Sequence, residues 1–97
     1  MDPGSLDPEL RRRIESLLAS RVSERAGVDA SGLDRRLLAA LARCYLELEE
    51  RRELAEEIYG ELRRAGIERR RAVELVALYL GYSESTVYRY LRRMGAL

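Results

Sequence analysis

Residues 73–92 constrain the fold more than any other stretch of this chain. Counting from Val73, a small residue, Ala77, stands fifth, Gly81 ninth and the β-branched Val87 fifteenth, with Val76, Leu80, Tyr82 and Tyr90 at the remaining inward positions. Two helices that cross steeply touch at one point, so the first needs a residue as small as Ala77 where the second passes over it. Gly81 falls where the first helix must stop and the chain reverse, a position that favours φ > 0 and hence glycine. Ser83 is placed to N-cap a second helix by accepting from the Ser85 or Thr86 amide, and Glu84 suits the positive end of that helix's dipole. The pattern predicts a helix-turn-helix.

The run Gly81-Tyr-Ser-Glu-Ser-Thr-Val-Tyr-Arg-Tyr-Leu91 resembles the G-x-S-x-S-T-V-Y-R-Y-L segment of the C-terminal DNA-binding domains of DNA invertases and resolvases, and of related small regulators. The resemblance covers roughly residues 66–94. It implies double-stranded DNA as partner, with the second motif helix in the major groove. The family usually carries a basic residue where this chain has Glu84, and its first motif helix is shorter than the run Glu68 to Leu80 that can be helical here.

Of 97 residues, 46% are hydrophobic and 36% charged, which marks one small globular domain or slightly more. With no Phe or Trp the core must be built from Leu, Ala, Ile, Val and six Tyr, which favours helices over strands. All eighteen basic residues are Arg, and Arg binds phosphate and guanine bidentately where Lys cannot. Histidine is absent and Cys44 is alone, so neither a structural zinc site nor an internal disulfide is expected, and no cofactor or small-molecule ligand is evident. With no signal peptide and no apolar run near eighteen residues, the expected location is the cytoplasm, on the nucleoid and not at a membrane. The net charge of +1 conceals an asymmetry. Residues 1–62 carry ten Arg against fourteen acidic residues, residues 63–97 eight Arg against three Glu, so the basic end is the helix-turn-helix end.

In chain order, residues 1–6 read as a disordered tip or a cloning remnant around Met1 to Ser5. Asp7-Pro8-Glu9 supplies a cap, an N1 proline and an acidic first turn, and Leu10, Ile14, Leu17, Leu18 and Val22 follow at helical spacing up to Gly27, giving a helix over about 8–26. Asp34 caps a second helix running through Leu37, Leu38, Leu41, Tyr45 and Leu48. Between Leu37 and Leu46 its only charged residue is Arg43, so it must be covered on more than one side, by the C-terminal module or by a second copy of the chain. Those five residues are the expected dimer contact, since helix-turn-helix proteins often pair to match two half-sites. The stretch Glu47 to Glu57 reads as solvated helix with a Glu47–Arg51 pair, and a break near residues 49–52 is expected. Gly60 within the third helix either permits a close helix crossing or is simply tolerated.

The resulting expectation is an all-α chain of four or five helices, with a packing or dimerisation part over 7–50 and a three-helix DNA-binding module over 51–97. The module's core is assigned to Ile58, Leu62, Ile67, Val73, Val76, Ala77, Leu80, Val87, Leu91 and Met94. If Val87, Leu91 and Met94 face inward, the helical period turns Glu84, Ser85, Tyr88, Arg89 and Arg92 outward. The expected DNA face is completed by Ser83, Thr86 and Arg93, and by Arg69, Arg70 and Arg71, whose charge opposes the dipole of their own helix and so calls for phosphates. A second reading makes the same surface a protein-interaction adaptor. A third, an enzyme fragment, fails on length, because the recombinases' catalytic domain is an α/β fold larger than this whole chain.

Overall fold

A computed structural model describes residues 6–97, and the expectation for Met1 to Ser5 lies outside them. Among the described residues there are five α-helices and no strand: α1 (Pro8–Ala26), α2 (Arg35–Tyr45), α3 (Leu48–Arg64), α4 (Arg69–Leu80) and α5 (Glu84–Arg93). The fold is all-α. Leu6, which the sequence placed in the tip, is 5% exposed and packs in the core.

α1 begins and ends as its capping residues dictate. The Asp7 carboxylate accepts from the Leu10 amide at 3.3 Å, and Gly27 closes the helix in the left-handed region at φ 72°. Leu10, Ile14, Leu18, Ala19 and Val22 form its buried face. α1 runs antiparallel to α3, and the charges record it: Arg13 meets Glu61 at 3.6 Å, Arg21 meets Glu57 at 2.5 Å, and Arg25 meets Glu50 at 2.8 Å. The acidic stretch is therefore neutralised in large part by α1. The expected Glu47–Arg51 pair is replaced by two longer-range contacts, Glu47 with Arg25 at 3.8 Å and Arg51 with the Tyr82 hydroxyl at 2.8 Å.

The break between the second and third helices falls at Leu46–Glu47, not at residues 49–52. Leu46 adopts an extended conformation, φ −88° and ψ 139°, and turns its side chain inward to 4% exposure. Burying a leucine contributes about 1.5–3 kcal/mol, whereas helix propensity at two further positions is worth under about 1 kcal/mol each. Burial decides where the helix stops. The Glu50 carboxylate then accepts from the Glu47 amide at 3.2 Å and restarts the chain as α3.

α4 is the central element, packed on α2, α3 and α5. Ala72, Val73, Leu75, Val76, Ala77, Tyr79 and Leu80 are all buried, so its apolar surface extends well beyond the face a three-helix module needs. Of the ten residues assigned to that module's core, eight are buried and two, Ile67 and Met94, lie partly exposed. Leu75 and Tyr79 add further buried bulk, and one continuous apolar cluster runs from Leu6 to Leu91. Gly60 lines a groove between α3 and Leu17, Ser20 and Arg21 of α1, and the atoms nearest to a Cβ there would be those of the Arg64 guanidinium, from 3.3 Å.

Candidate nucleic-acid interface

The segment 69–93 forms two helices joined at Gly81-Tyr82-Ser83. Gly81 ends α4 at φ 72°, with its amide bonded to the Ala77 carbonyl, and the Ser83 hydroxyl accepts from the Thr86 amide at 3.2 Å to open α5. Val87 and Leu91 plug α5 into the core and are fully buried. On the other side of α5, Glu84, Ser85, Arg89, Arg92 and Arg93 are exposed. Tyr88 departs from the expected outward face: it is half-buried against the core, because it stands three residues before the buried Leu91 and so flanks the inward seam. Ser83 and Thr86 are committed within the helix start. Ser83 donates to Thr86 Oγ1 at 2.9 Å, and Arg89 Nη2 donates to the same oxygen at 3.2 Å, which aims the guanidinium toward the N-terminal half of the face.

At the other end of the pair, Arg69 and Arg70 are exposed in the first turn of α4 and Arg71 is half-buried. Arg70 lies 3.8 Å from Glu74, one turn on, which relieves part of its opposition to the helix dipole. Among the described residues Arg69, Arg89, Arg92 and Arg93 enter no salt bridge, although the chain carries seventeen acidic residues. The salt bridges that do form lie elsewhere, chiefly between α1 and the α3 segment.

Sequence reasoning missed how the turn is held. Arg35 Nη1 donates to the Leu78 carbonyl at 3.3 Å and Arg43 Nη1 to the Gly81 carbonyl at 2.9 Å, so two arginines of α2 satisfy free carbonyls at the end of α4. Tyr82 and Tyr90 meet edge to face, 5.5 Å between centroids, with Arg51 at 6.0 Å from the Tyr82 ring and Arg52 at 5.6 Å from the Tyr90 ring. Burial pushes the Tyr82 hydroxyl upward, opposed by the hydrogen bond from Arg51. No linear signal marks these arginines, because their partners are 31 to 43 residues away.

The five residues expected to form a dimer contact separate on folding. Leu38 is 1% exposed and belongs to the chain's own core, since α2 is wedged between α1 and α4. Leu37, Tyr45 and Leu48 remain largely exposed, and Leu41 is half-buried between them. Cys44 is exposed on the same helix. Among the described residues no group of His, Cys, Asp or Glu could hold a metal ion, and no helix is long and apolar enough to cross a membrane. Comparison with protein-family models, with curated proteins and with solved structures finds no match.

Proposed function

We propose that this chain is a sequence-specific DNA-binding protein, acting in transcriptional regulation or DNA organisation, that inserts the exposed face of α5 into the major groove. The observation that carries the reading is the set of arginines on that face. Arg89, Arg92 and Arg93 project from a short capped helix, exposed and, among the described residues, without carboxylate partners. Unpaired guanidiniums on one helix face suit phosphates and guanine edges. Arg89 is the base-reading residue, bidentate to guanine, and Arg69 and Arg70 grip the backbone. Glu84, if it enters the groove, accepts from a cytosine amino group. The exposed stripe of Leu37, Leu41, Tyr45 and Leu48 joins two copies so that two α5 helices meet two half-sites, on nucleoid DNA in the cytoplasm.

The test is fluorescence anisotropy with a duplex selected from a random pool and with a scrambled one. Arg89→Ala should cost about 1–3 kcal/mol on the selected duplex and relax preference at one base pair. Arg70→Ala should weaken both duplexes alike and lower the slope of log K against log salt by about one. If neither substitution changes affinity, α5 is no DNA reader, and the same surface is a protein-docking face.

A further inference from the structure

Beside α5 lies a recess that the helix-turn-helix pattern does not include. It measures about 520 Å³ and is lined by Leu48 and Arg52 at the start of α3 and by Arg89, Tyr90, Arg92 and Arg93 of α5. Four arginines thus line one concavity. The carboxylate paired with any of them is that of Glu49, 3.7 Å from Arg52 and itself 71% exposed on its side chain.

We propose that this recess seats a backbone phosphate of the bound DNA, with Arg52 as its floor and Arg93 and Arg92 at its rim. The inference rests on the DNA-binding reading and adds to it a residue from outside the motif. Arg52 is the best prepared of the four. Its guanidinium lies 5.6 Å from the Tyr90 ring, its side chain is only 16% exposed, and its Nε is buried without a hydrogen-bond partner. Tyr90 is held in turn by Tyr82, and Tyr82 by Arg51. A guanidinium already fixed on an aromatic face loses little freedom on binding, and its planar fork fits two phosphate oxygens. The occupant is a phosphodiester and not a free anion, because Arg89 lines both the recess and the outward face of α5. A strand whose base meets Arg89 passes the recess with its backbone.

The experiment measures duplex affinity by anisotropy across a salt series for the full chain, Arg52→Gln, Arg93→Gln and Arg70→Ala, each with a thermal melt. Loss of one phosphate contact predicts a slope smaller by about 0.9 and affinity lower by roughly tenfold at about 0.1 M salt, equally on selected and scrambled duplexes. Arg52→Gln is expected to show both. If it melts early because Tyr90 loses its cover, Arg93→Gln carries the test, with the same reduction expected. Unchanged slopes in folded Arg52→Gln and Arg93→Gln, where Arg70→Ala lowers the slope, overturn the recess and leave the DNA-binding reading standing. Weakening confined to the selected duplex assigns Arg52 to base readout and overturns the phosphate role. Absence of duplex binding by the unsubstituted chain overturns both.

Discussion

The Arg43 guanidinium donates to the carbonyl oxygen of Gly81 at 2.9 Å, and a Cβ on Gly81 would run into that same Arg43 nitrogen. The contact ties α2 to the turn between α4 and α5, thirty-eight residues away. The φ of 72° holds position 81 to glycine, and a methyl there would in addition displace the Arg43 guanidinium.

Gly81→Ala should destabilise the fold by about 1–3 kcal/mol, combining left-handed strain with displacement of Arg43. Arg43→Ala should cost about 0.5–1.5 kcal/mol, the usual net worth of a hydrogen bond. In the double variant the second penalty should shrink, because with Arg43 gone the alanine methyl meets the Ala39 Cβ at 3.6 Å, an ordinary van der Waals contact. Urea denaturation of the four proteins measures the coupling; strict additivity would show that the two side chains do not contend for the same volume.

Gly60→Ala should stabilise α3 by up to about 1 kcal/mol, since glycine in a helix interior costs that much and the atoms nearest to the new methyl are the guanidinium end of the Arg64 side chain, which need give way only slightly. A drop in melting temperature would mean that Arg64 cannot move aside.

Tyr79 couples stability to alkaline pH. It is fully buried, and its hydroxyl lies near the Glu15 carboxylate without a hydrogen bond of good geometry. Burial pushes it up to about 12, with Glu15 adding in the same direction and Arg11 and Arg35 opposing. An unfolded tyrosine titrates near about 10. Between these values the unfolded chain gives up the proton and the folded chain keeps it, so this contribution is intact below about pH 10 and is lost as the pH rises toward about 12, at most about 2–3 kcal/mol. Tyr79→Phe should lose less stability than the parent protein between about pH 9 and about pH 11.5. Parallel alkaline melting curves for the two proteins would rule the coupling out.

Leu37→Glu tests the paired arrangement. Leu37 is 47% exposed, so a glutamate there should leave the monomer's melting behaviour within about 0.5 kcal/mol while breaking an association through the α2 stripe. Sedimentation velocity at tens of micromolar should show dimers for the parent chain and monomers for the variant; a monomeric parent chain would leave α2 as a brace for α4 alone. Leu41→Glu is the less specific companion, because Leu41 also packs on the core and its replacement threatens the fold itself.

What this sequence determines by itself is local. Asp7, Asp34 and Ser83 cap helices where they stand, Gly27 and Gly81 end them, and the spacing of Ile14, Leu18, Ile58, Leu62, Val87 and Leu91 selects their inward faces. Each of these choices depends on neighbours within a turn or two, so periodicity and capping chemistry suffice to read them. Tertiary structure decided the remainder. Leu46 ends α2 because there is core for it to enter, Leu38 is covered by elements on both sides of α2, and Arg43, Arg51 and Arg52 are drawn to Gly81, Tyr82 and Tyr90. In a linear reading Arg51 and Arg52 belong to a solvated helix, and Arg43 is the one charged residue between Leu37 and Leu46. Only packing α2 and the start of α3 beside the turn reveals what they hold, since an arginine's partner is set by the surface that folding brings within its reach.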